Sequence, residues 1–565
     1  MLLENGLICA IRLCRAFEVW CLHIPVKDRT SFEGLVKFVD ETVKSEHASS
    51  PNRPIYLVGD SFGGCLALAV ASRNPTIDLV LVLANPATSL ERSPLRPLFP
   101  FLDAIPDEIH AAVPYVLNFL VGEPLKMAMV NVDPLPSSKT LQNLSDNLSA
   151  LLRRLSVLGD ILPKDNLIWK LKLLRTAAAY ANSRLHAIKA EVLVLASGKD
   201  NLLPSEDEAR RLSSQLENCA FRDFKDNGHT ILLEDGFSLL SIIRGTRKYR
   251  RSQKVDYISD YLPPSLSEYK QIYERTYGFF PMVTSPVMFS TQEDGKIVKG
   301  LDGVPTEGPV LYVGYHMLMG MELPSMYGEF LRQKKIILRG IAHPELFSPA
   351  NGLVGTDFSF FDYAVLFGAV PVSAKYMFKL LASKSHVLLY PGGAREALHR
   401  KGEEYKLHWP QQQEFVRMAA RFGATIVPFG AVGEDDLFKL VLDYDDQMKI
   451  PIYSDFLRQW IEERTTVRET TDVANQEIFI PGVVPKVPGR FYFLFGKPIE
   501  TKGKEEILKD KEKANEMYLY VKSEVESCLA YLIKKREQDP YRNFVDRTSY
   551  RAFHAPPQDV PAFPL

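Results

Sequence analysis

Apolar positions in the first part of the chain follow two periods. Phe32, Leu35, Val36, Val39 and Val43 recur at helical spacing, and Thr30 or Ser31 stands ahead of them as a helix cap. Phe17-Glu18-Val19-Trp20-Cys21-Leu22 and Ile55-Tyr56-Leu57-Val58 read as strands, and Cys65 to Ala71 is helical in composition. Leu79 to Ala84 is a continuous apolar run, the pattern of a buried strand, and Glu191 to Ala196 is another. Between them, from Asn85 to about His186, lies a long Leu- and Pro-rich stretch of mainly helical character. An insertion of that length between two sheet strands predicts a helical cap at about 86–186.

The second half repeats the alternation. Pro309 to Val313, Phe367 to Val372, Val387 to Tyr390 and Ala424 to Phe429 are strand-like, with helical segments between them, so a second α/β domain is expected. A charged run, Arg247-Lys248-Tyr249-Arg250-Arg251 with Lys254, reads as a solvated linker between domains. The expected division is 1–245, then 255–545, then a Pro-rich tail at 546–565 whose end, Ala552 to Leu565, is disordered.

A chain of 565 residues is too long for one core, which agrees with two domains. The net charge of −1 gives no electrostatic case for nucleic acid as a partner. The six cysteines show no metal-ligand spacing, and in a chain this large a reducing compartment without a disulfide framework is the expectation. No cofactor signature is present. No stretch reaches the roughly 18–20 consecutive apolar residues of a membrane-spanning helix. A lipid-handling version of this chain would therefore touch a lipid surface rather than cross it. Met1 to Gly6 carries neither a transit segment nor a signal peptide.

Two groups of residues carry chemistry. The first is Gly59-Asp60-Ser61-Phe62-Gly63, a strand running through a sharp turn into a helix. That context lifts a serine hydroxyl clear of a sheet, and Gly59 and Gly63 are expected to be small because backbone segments approach closely there. Ser197-Gly198-Lys199-Asp200 follows a strand and offers an acid, with Asp207 and Asp226 as alternatives nearby. His229 follows the strand around Phe221 to Phe224. The order Ser61, Asp200, His229 fits a nucleophile, an orienting acid and a base. Phe62 supplies one oxyanion N–H. The second donor comes from a loop after an earlier strand; 60 residues precede Ser61, and Met1 to Cys14 contains no glycine-rich loop for it. A shortened chain lacking early strands is the expectation, with this first site impaired by about 10²- to 10³-fold.

The second group is His316, at the end of a strand and suited to general-base work, followed downstream by Tyr390-Pro391-Gly392-Gly393-Ala394-Arg395-Glu396. A Gly-Gly turn after a strand exposes N–H groups that can hold an anion, and Arg395 adds a charge-assisted fork.

These blocks resemble the glycerolipid acyltransferase superfamily, in particular its type-2 diacylglycerol acyltransferase branch. Tyr390 to Glu396 matches the Y-P-G-G-x-x-E block. The H-x-x-x-x-D motif is matched only in His316, because Met321 stands where the acid belongs and Glu322 comes one residue late. On an ideal helix Glu322 lies about 240° around from His316; it is nonetheless the candidate orienting acid. A hydrolase domain followed by such a domain resembles the plant phytyl ester synthases, over Phe17 to Phe544. The resemblance implies an α/β-hydrolase domain with cap, here expected without its early strands, then a glycerolipid acyltransferase-like α/β domain. It implies esterification of phytol, and of diacylglycerol to triacylglycerol, with acyl-CoA, acyl carrier protein or galactolipid as donor. It implies Gly392, Gly393, Arg395 and Glu396 on the donor side, and a chloroplast plastoglobule or another lipid-droplet or membrane surface as the setting. The rival readings are a lipase or thioesterase working through Ser61, and a non-catalytic plastoglobule-associated protein.

Overall fold

The computed structural model describes residues 13–14, 16–94, 96–97, 164–234, 237–347, 360–451, 454–455, 478–554 and 560–565. The chain forms two compact units, Met1–Asp256 with Gly352–Tyr363, and Tyr257–Asn351 with Ala364–Leu565. No described helix is long and apolar enough to cross a membrane.

In the first unit, helix α1 (Phe32–Ser49) starts at Ser31, whose hydroxyl accepts from the Gly34 N–H at 3.2 Å. This settles the cap in favour of Ser31 over Thr30 and turns Phe32, Leu35, Val36 and Val43 into the core. Strands β1 (Ile55–Asp60), β2 (Leu79–Ala84), β3 (Glu191–Ser197) and β4 (Cys219–Phe224) form a parallel sheet in chain order. β2 is buried along its whole length, as its unbroken apolar run requires. Helices α2 (Phe62–Arg73), α3 (Lys164–Ser183) and α4 (Ser205–Gln215) share the core with this sheet.

Two expectations change here. Phe17 to Leu22 is not a strand. Its one well-packed ring, Phe17, meets Tyr56 and Tyr249 edge-on at 4.8 and 5.3 Å, while Trp20 is 69% exposed, so the segment has no buried face to pair along. Among the described residues β1 is an edge strand, and Val58 on it is exposed. Most of the expected cap, 98–163, lies outside the described residues. The described end of it, α3, buries Leu173, Ala177, Ala178 and Ala181 in the same core as α2. The basic run is not a solvated linker either. Arg250 is buried and grips Asp78 through both guanidinium nitrogens, at 2.5 and 2.6 Å, while the Tyr56 hydroxyl donates to the Lys248 carbonyl at 2.7 Å.

The second unit is built on an eight-stranded mixed sheet. Its strands are β5 (Val287–Thr291), β6 (Ile297–Lys299), β7 (Val310–Gly314), β8 (Leu338–Ala342), β9 (Val370–Pro371), β10 (His386–Leu389), β11 (Thr425–Val432) and, after the separate β12–β13 hairpin (Phe438–Leu442, Gly482–Pro485), β14 (Tyr492–Phe495). The order is β6-β5-β14-β11-β7-β10-β8-β9. Phe367 to Val372 keeps only two residues of strand, because Gly368 turns the chain at φ +88°. The centre matters most for function. β10, β7 and β11 are adjacent and parallel, so the segments that follow them emerge side by side at one edge. Helices α5 (Glu414–Phe422) and α6 (Lys511–Arg536) contribute to the same core.

The expected tail is part of this fold. In helix α7 (Phe544–Phe553) Arg547 is fully buried and donates to the carbonyls of Val283, Gly489 and Pro488 at 2.7, 3.0 and 3.2 Å. Beyond 555–559, which lie outside the described residues, Val560 and Phe563 are buried. Phe563 stacks on Phe289 at 4.9 Å, and that apolar contact outweighs the Pro-rich composition. Phe563→Ala is expected to destabilise the second unit by about 3 kcal/mol, measured by denaturant unfolding. A change below about 0.5 kcal/mol would mean that the end of the chain is not packed there.

Candidate functional site

The first unit gathers its reactive residues at the C-terminal edge of its sheet. Ser61 follows β1 with φ 50° and ψ −108°, the strained geometry of a nucleophile turn. A side chain at Gly59 would lie 2.4 Å from the Gly63 carbonyl, and one at Gly64 would meet Pro86 at 2.7 Å. Gly63 faces open space, so the steric demand falls on Gly59 and Gly64 rather than on Gly59 and Gly63. Phe62 opens α2, leaving its N–H without an intrahelical acceptor. Among the described residues before Ile55 no strand carries a loop for a second oxyanion donor.

Asp200 and His229 meet. Nδ1 of His229 lies 2.8 Å from Oδ2 of Asp200. The other Asp200 oxygen accepts from the N–H groups of Leu202 and Leu203 at 2.9 and 3.0 Å, and Ser205 donates its hydroxyl to Oδ2. Burial alone would raise the Asp200 carboxyl, but the His229 bond and charge, with Ser205 and Leu203, hold it below its ordinary range. His229 shows the complement. Burial disfavours its charged form, yet Asp200, with Asp60 behind it, raises it above the usual histidine value. The alternative acids drop out: Asp226 is exposed and 3.8 Å from Lys199, and Asp207 lies on α4. His229 keeps Nδ1 on Asp200, which leaves Nε2 as the ring nitrogen for the Ser61 proton.

Composition gave little hint of the residues that hold this group. Asn85, fully buried after β2 at φ 42°, accepts from the Ser197 N–H at 2.9 Å and donates to the His229 carbonyl at 2.7 Å. It ties the acid strand to the histidine loop. Glu234 accepts from Gly228 N–H at 2.8 Å and from the Asn227 amide at 2.9 Å, closing the same loop. Asp60 is pushed up to about 6, first by burial and then by the Asp200 charge, against the pull of His229. A lone asparagine directly after a wholly apolar strand was the available signal for Asn85.

In the second unit His316 follows β7. Its Nδ1 lies 2.7 Å from Oε1 of Glu322, a fully buried carboxylate. The helical-wheel objection to Glu322 fails because 316–322 is not one helix. Met319 stands at φ 55° and ψ 19°, and Gly320 follows at φ +70°. Two successive left-handed residues fold the chain back on His316. A side chain at Gly320 would also press on His316 Cε1 at 3.3 Å. The imidazole stacks on Tyr390, with ring centres 3.9 Å apart and planes 7° from parallel. Burial first, and then the Glu322 charge, keep the Tyr390 hydroxyl protonated far above its ordinary range.

The residues expected on the donor side do other work. Glu396 is fully buried, accepting from the His316 N–H at 3.1 Å and the His408 N–H at 2.9 Å. Burial pushes it up to about 7 despite both donors. It is a strut beneath His316, not a donor contact. Gly392 makes room for it, since a side chain there would lie 2.1 Å from the Glu396 carboxyl carbon. Arg395 already spends its fork on Glu403, with both bonds at 2.8 Å, so it is not an open phosphate clamp. Gly393, at φ +51°, keeps the turn, and its N–H bonds the Tyr390 carbonyl at 3.0 Å. No cluster of three or more metal-binding side chains occurs among the described residues.

If Asp200 raises His229 as this geometry implies, the rate of Ser61 phosphonylation by a fluorophosphonate will rise with pH, with a midpoint above the ordinary histidine value. The base form is lost as pH falls through that raised value. Asp200→Asn removes the charge that stabilises imidazolium, so the midpoint should move down. An unmoved midpoint would separate Asp200 from His229.

Residues 28–236 match the family described as serine aminopeptidase, S33, and residues 356–512 match diacylglycerol acyltransferase. His316 and Glu322 precede the second match. Over 557 residues the chain is 58% identical to phytyl ester synthase 1, chloroplastic, of Arabidopsis thaliana, covering 98% of this chain and 79% of that protein. It is 48% identical over 565 residues to phytyl ester synthase 2, chloroplastic, of the same plant, covering 98% and 80%. A shorter match, 38% over 82 residues, is to human 2-acylglycerol O-acyltransferase 3, covering 14% of this chain and 24% of that protein. An α/β-hydrolase domain is thus joined to a diacylglycerol acyltransferase domain. With this domain pair and identity along nearly its whole length, the chain belongs to the phytyl ester synthase family.

Proposed function

We propose that the chain esterifies phytol and diacylglycerol with fatty acyl groups, and that the chemistry of synthesis runs at His316. The acyltransferase class rests on the family and on the diacylglycerol acyltransferase domain. The observation that carries the choice of residue is the His316–Glu322 pair. With Nδ1 engaged by Glu322 at 2.7 Å, Nε2 is the ring nitrogen left to take a proton.

The reaction follows from that. The acceptor hydroxyl loses its proton to His316 Nε2 as its oxygen attacks the carbonyl carbon of an acyl thioester. The tetrahedral intermediate collapses, the thiolate leaves, and the imidazolium returns the proton to it. Glu322 stabilises the imidazolium formed on the way. Tyr390 holds the ring by its face, and Glu396 holds the backbone at His316. Donors in this reading are acyl-CoA or acyl carrier protein. The setting is the chloroplast, named for both Arabidopsis relatives, and within it a plastoglobule or membrane surface where such lipids collect.

A second activity has its own support in the Asp200–His229 pair and the strained Ser61. In this reading Ser61 takes the acyl group from a galactolipid as an acyl-enzyme and passes it to water or an alcohol.

The two sites separate by mutation. His316→Ala is expected to lower phytyl ester synthesis from acyl-CoA by about 10²- to 10⁴-fold, while Ser61→Ala leaves that rate within about twofold. Purified protein assayed with phytol, diacylglycerol and acyl-CoA checks this. Full synthesis by His316→Ala, with loss in Ser61→Ala, would move the reaction to the first unit.

A further inference from the structure

Glu434 follows β11, the strand on the other side of β7 from Tyr390. It belongs to Gly433-Glu434-Asp435-Asp436, an acidic run directly after the strand. The structure gives each acid its own partner. Asp435 takes a fork from Arg536, with both bonds at 2.7 Å. Asp436 takes one from Arg542 at 2.8 and 2.9 Å. These two anchors fix the turn and send Glu434 inward, where only 3% of it is exposed.

Inside, Glu434 brackets His316. Oε1 accepts the Tyr315 hydroxyl at 2.7 Å, and Oε2 accepts the N–H of Leu318. One carboxylate therefore holds the residue before the histidine and the residue two after it. With Glu396 on the His316 N–H at 3.1 Å, the segment is held at three points along four residues, by two backbone N–H groups and one side-chain hydroxyl. Left-handed Met319 lies directly beyond the last of them. The pins are where a reversal of the chain needs support if Glu322 is to stay against the ring.

A buried carboxylate needs a compensating charge, and one histidine faces it. His399 is 1% exposed. Its Nδ1 lies 3.0 Å from the Arg400 carbonyl, so Nδ1 carries a hydrogen. Its Nε2 points at Glu434 Oε1 from 3.5 Å and has no other partner among the described residues. A lone pair there would face a buried carboxylate oxygen, whereas a proton makes an ion pair. The other titratable groups facing the pair are Tyr315 and Tyr405 on Glu434, and Glu404 and His408 on His399. Burial disfavours the charged imidazole, but Glu434 outweighs it and raises His399 above the ordinary histidine value.

We propose that Glu434 is a positioning residue for His316, and that protonated His399 is its buried counter-ion. This rests on the reading of His316 as the base. Glu434 touches no reacting atom; it keeps Nδ1 on Glu322 and Nε2 aimed outward. The charge pair also makes the site sensitive to alkali. The pair is complete below the raised value of His399 and is lost as pH rises through it, leaving Glu434 uncompensated.

The test is a kinetic comparison of the full chain with phytol and acyl-CoA across pH. Glu434→Gln, which can accept at only one oxygen, is expected to lower kcat by about 10- to 100-fold with KM within about threefold. Wild-type kcat should decline on the alkaline side, and His399→Gln, a neutral donor at every pH, should flatten that decline. If Glu434→Gln does not fold, the His399→Gln profile still decides the matter. A kcat within twofold of wild type in Glu434→Gln, or an unaltered alkaline decline in His399→Gln, would overturn the proposal. His316→Ala, run alongside, keeps the two readings apart. If it still synthesises ester, the base assignment has failed; if it is inactive while Glu434→Gln is normal, only the positioning role has failed.

Discussion

A carboxylate at Glu322, with no exposure to water, is tolerable only if a hydrogen-bond donor meets it. His316 meets it at 2.7 Å, and much of the surrounding architecture serves that contact. The left-handed pair Met319–Gly320 turns the chain so that the two residues face each other. Tyr390 covers one face of the ring, Glu396 holds the backbone beneath it, and Glu434 ties down the residues on either side. Parallel adjacency of β10, β7 and β11 makes this possible, because the three segments that carry these groups leave the sheet at the same edge.

The first unit solves a similar problem with different parts. There the parallel order β1-β2-β3-β4 brings Ser61, Asn85, Asp200 and His229 to the strand ends. Asp200 spreads its charge over two N–H groups, a hydroxyl and the imidazole, which is why it stays ionised although buried. Asn85 has no charge and no catalytic part, yet it joins strand and loop so that acid and base arrive together.

What the sequence made legible was local or periodic. Buried strands such as Leu79 to Ala84, the turn at Ser61, and the order of Ser61, Asp200 and His229 all follow from pattern. The contacts between Glu322 and His316 were obscured by the assumption of a regular helix, because a non-glycine residue in the left-handed region leaves no mark in composition. The tasks of Arg395, Glu396 and Glu434 depend on partners 8, 80 and 116 residues away, at Glu403, His316 and Leu318, and spacing along the chain does not reveal such pairings. The same holds for the basic run and the Pro-rich end. Composition marked the first as a solvated linker and the second as disordered, but Arg250 found Asp78 and Phe563 found Phe289.

The account stands or falls on Glu322 as the residue that orients and stabilises His316. Its most direct measurement is the steady-state rate of phytyl ester formation by Glu322→Gln, with thermal unfolding recorded on the same preparation. The predicted result is a kcat lowered by about 10²-fold or more at nearly unchanged KM, in protein that unfolds as a single folded species near the wild-type temperature. Wild-type kcat in a folded Glu322→Gln protein would contradict it, and would remove His316–Glu322 from the centre of this structure's chemistry.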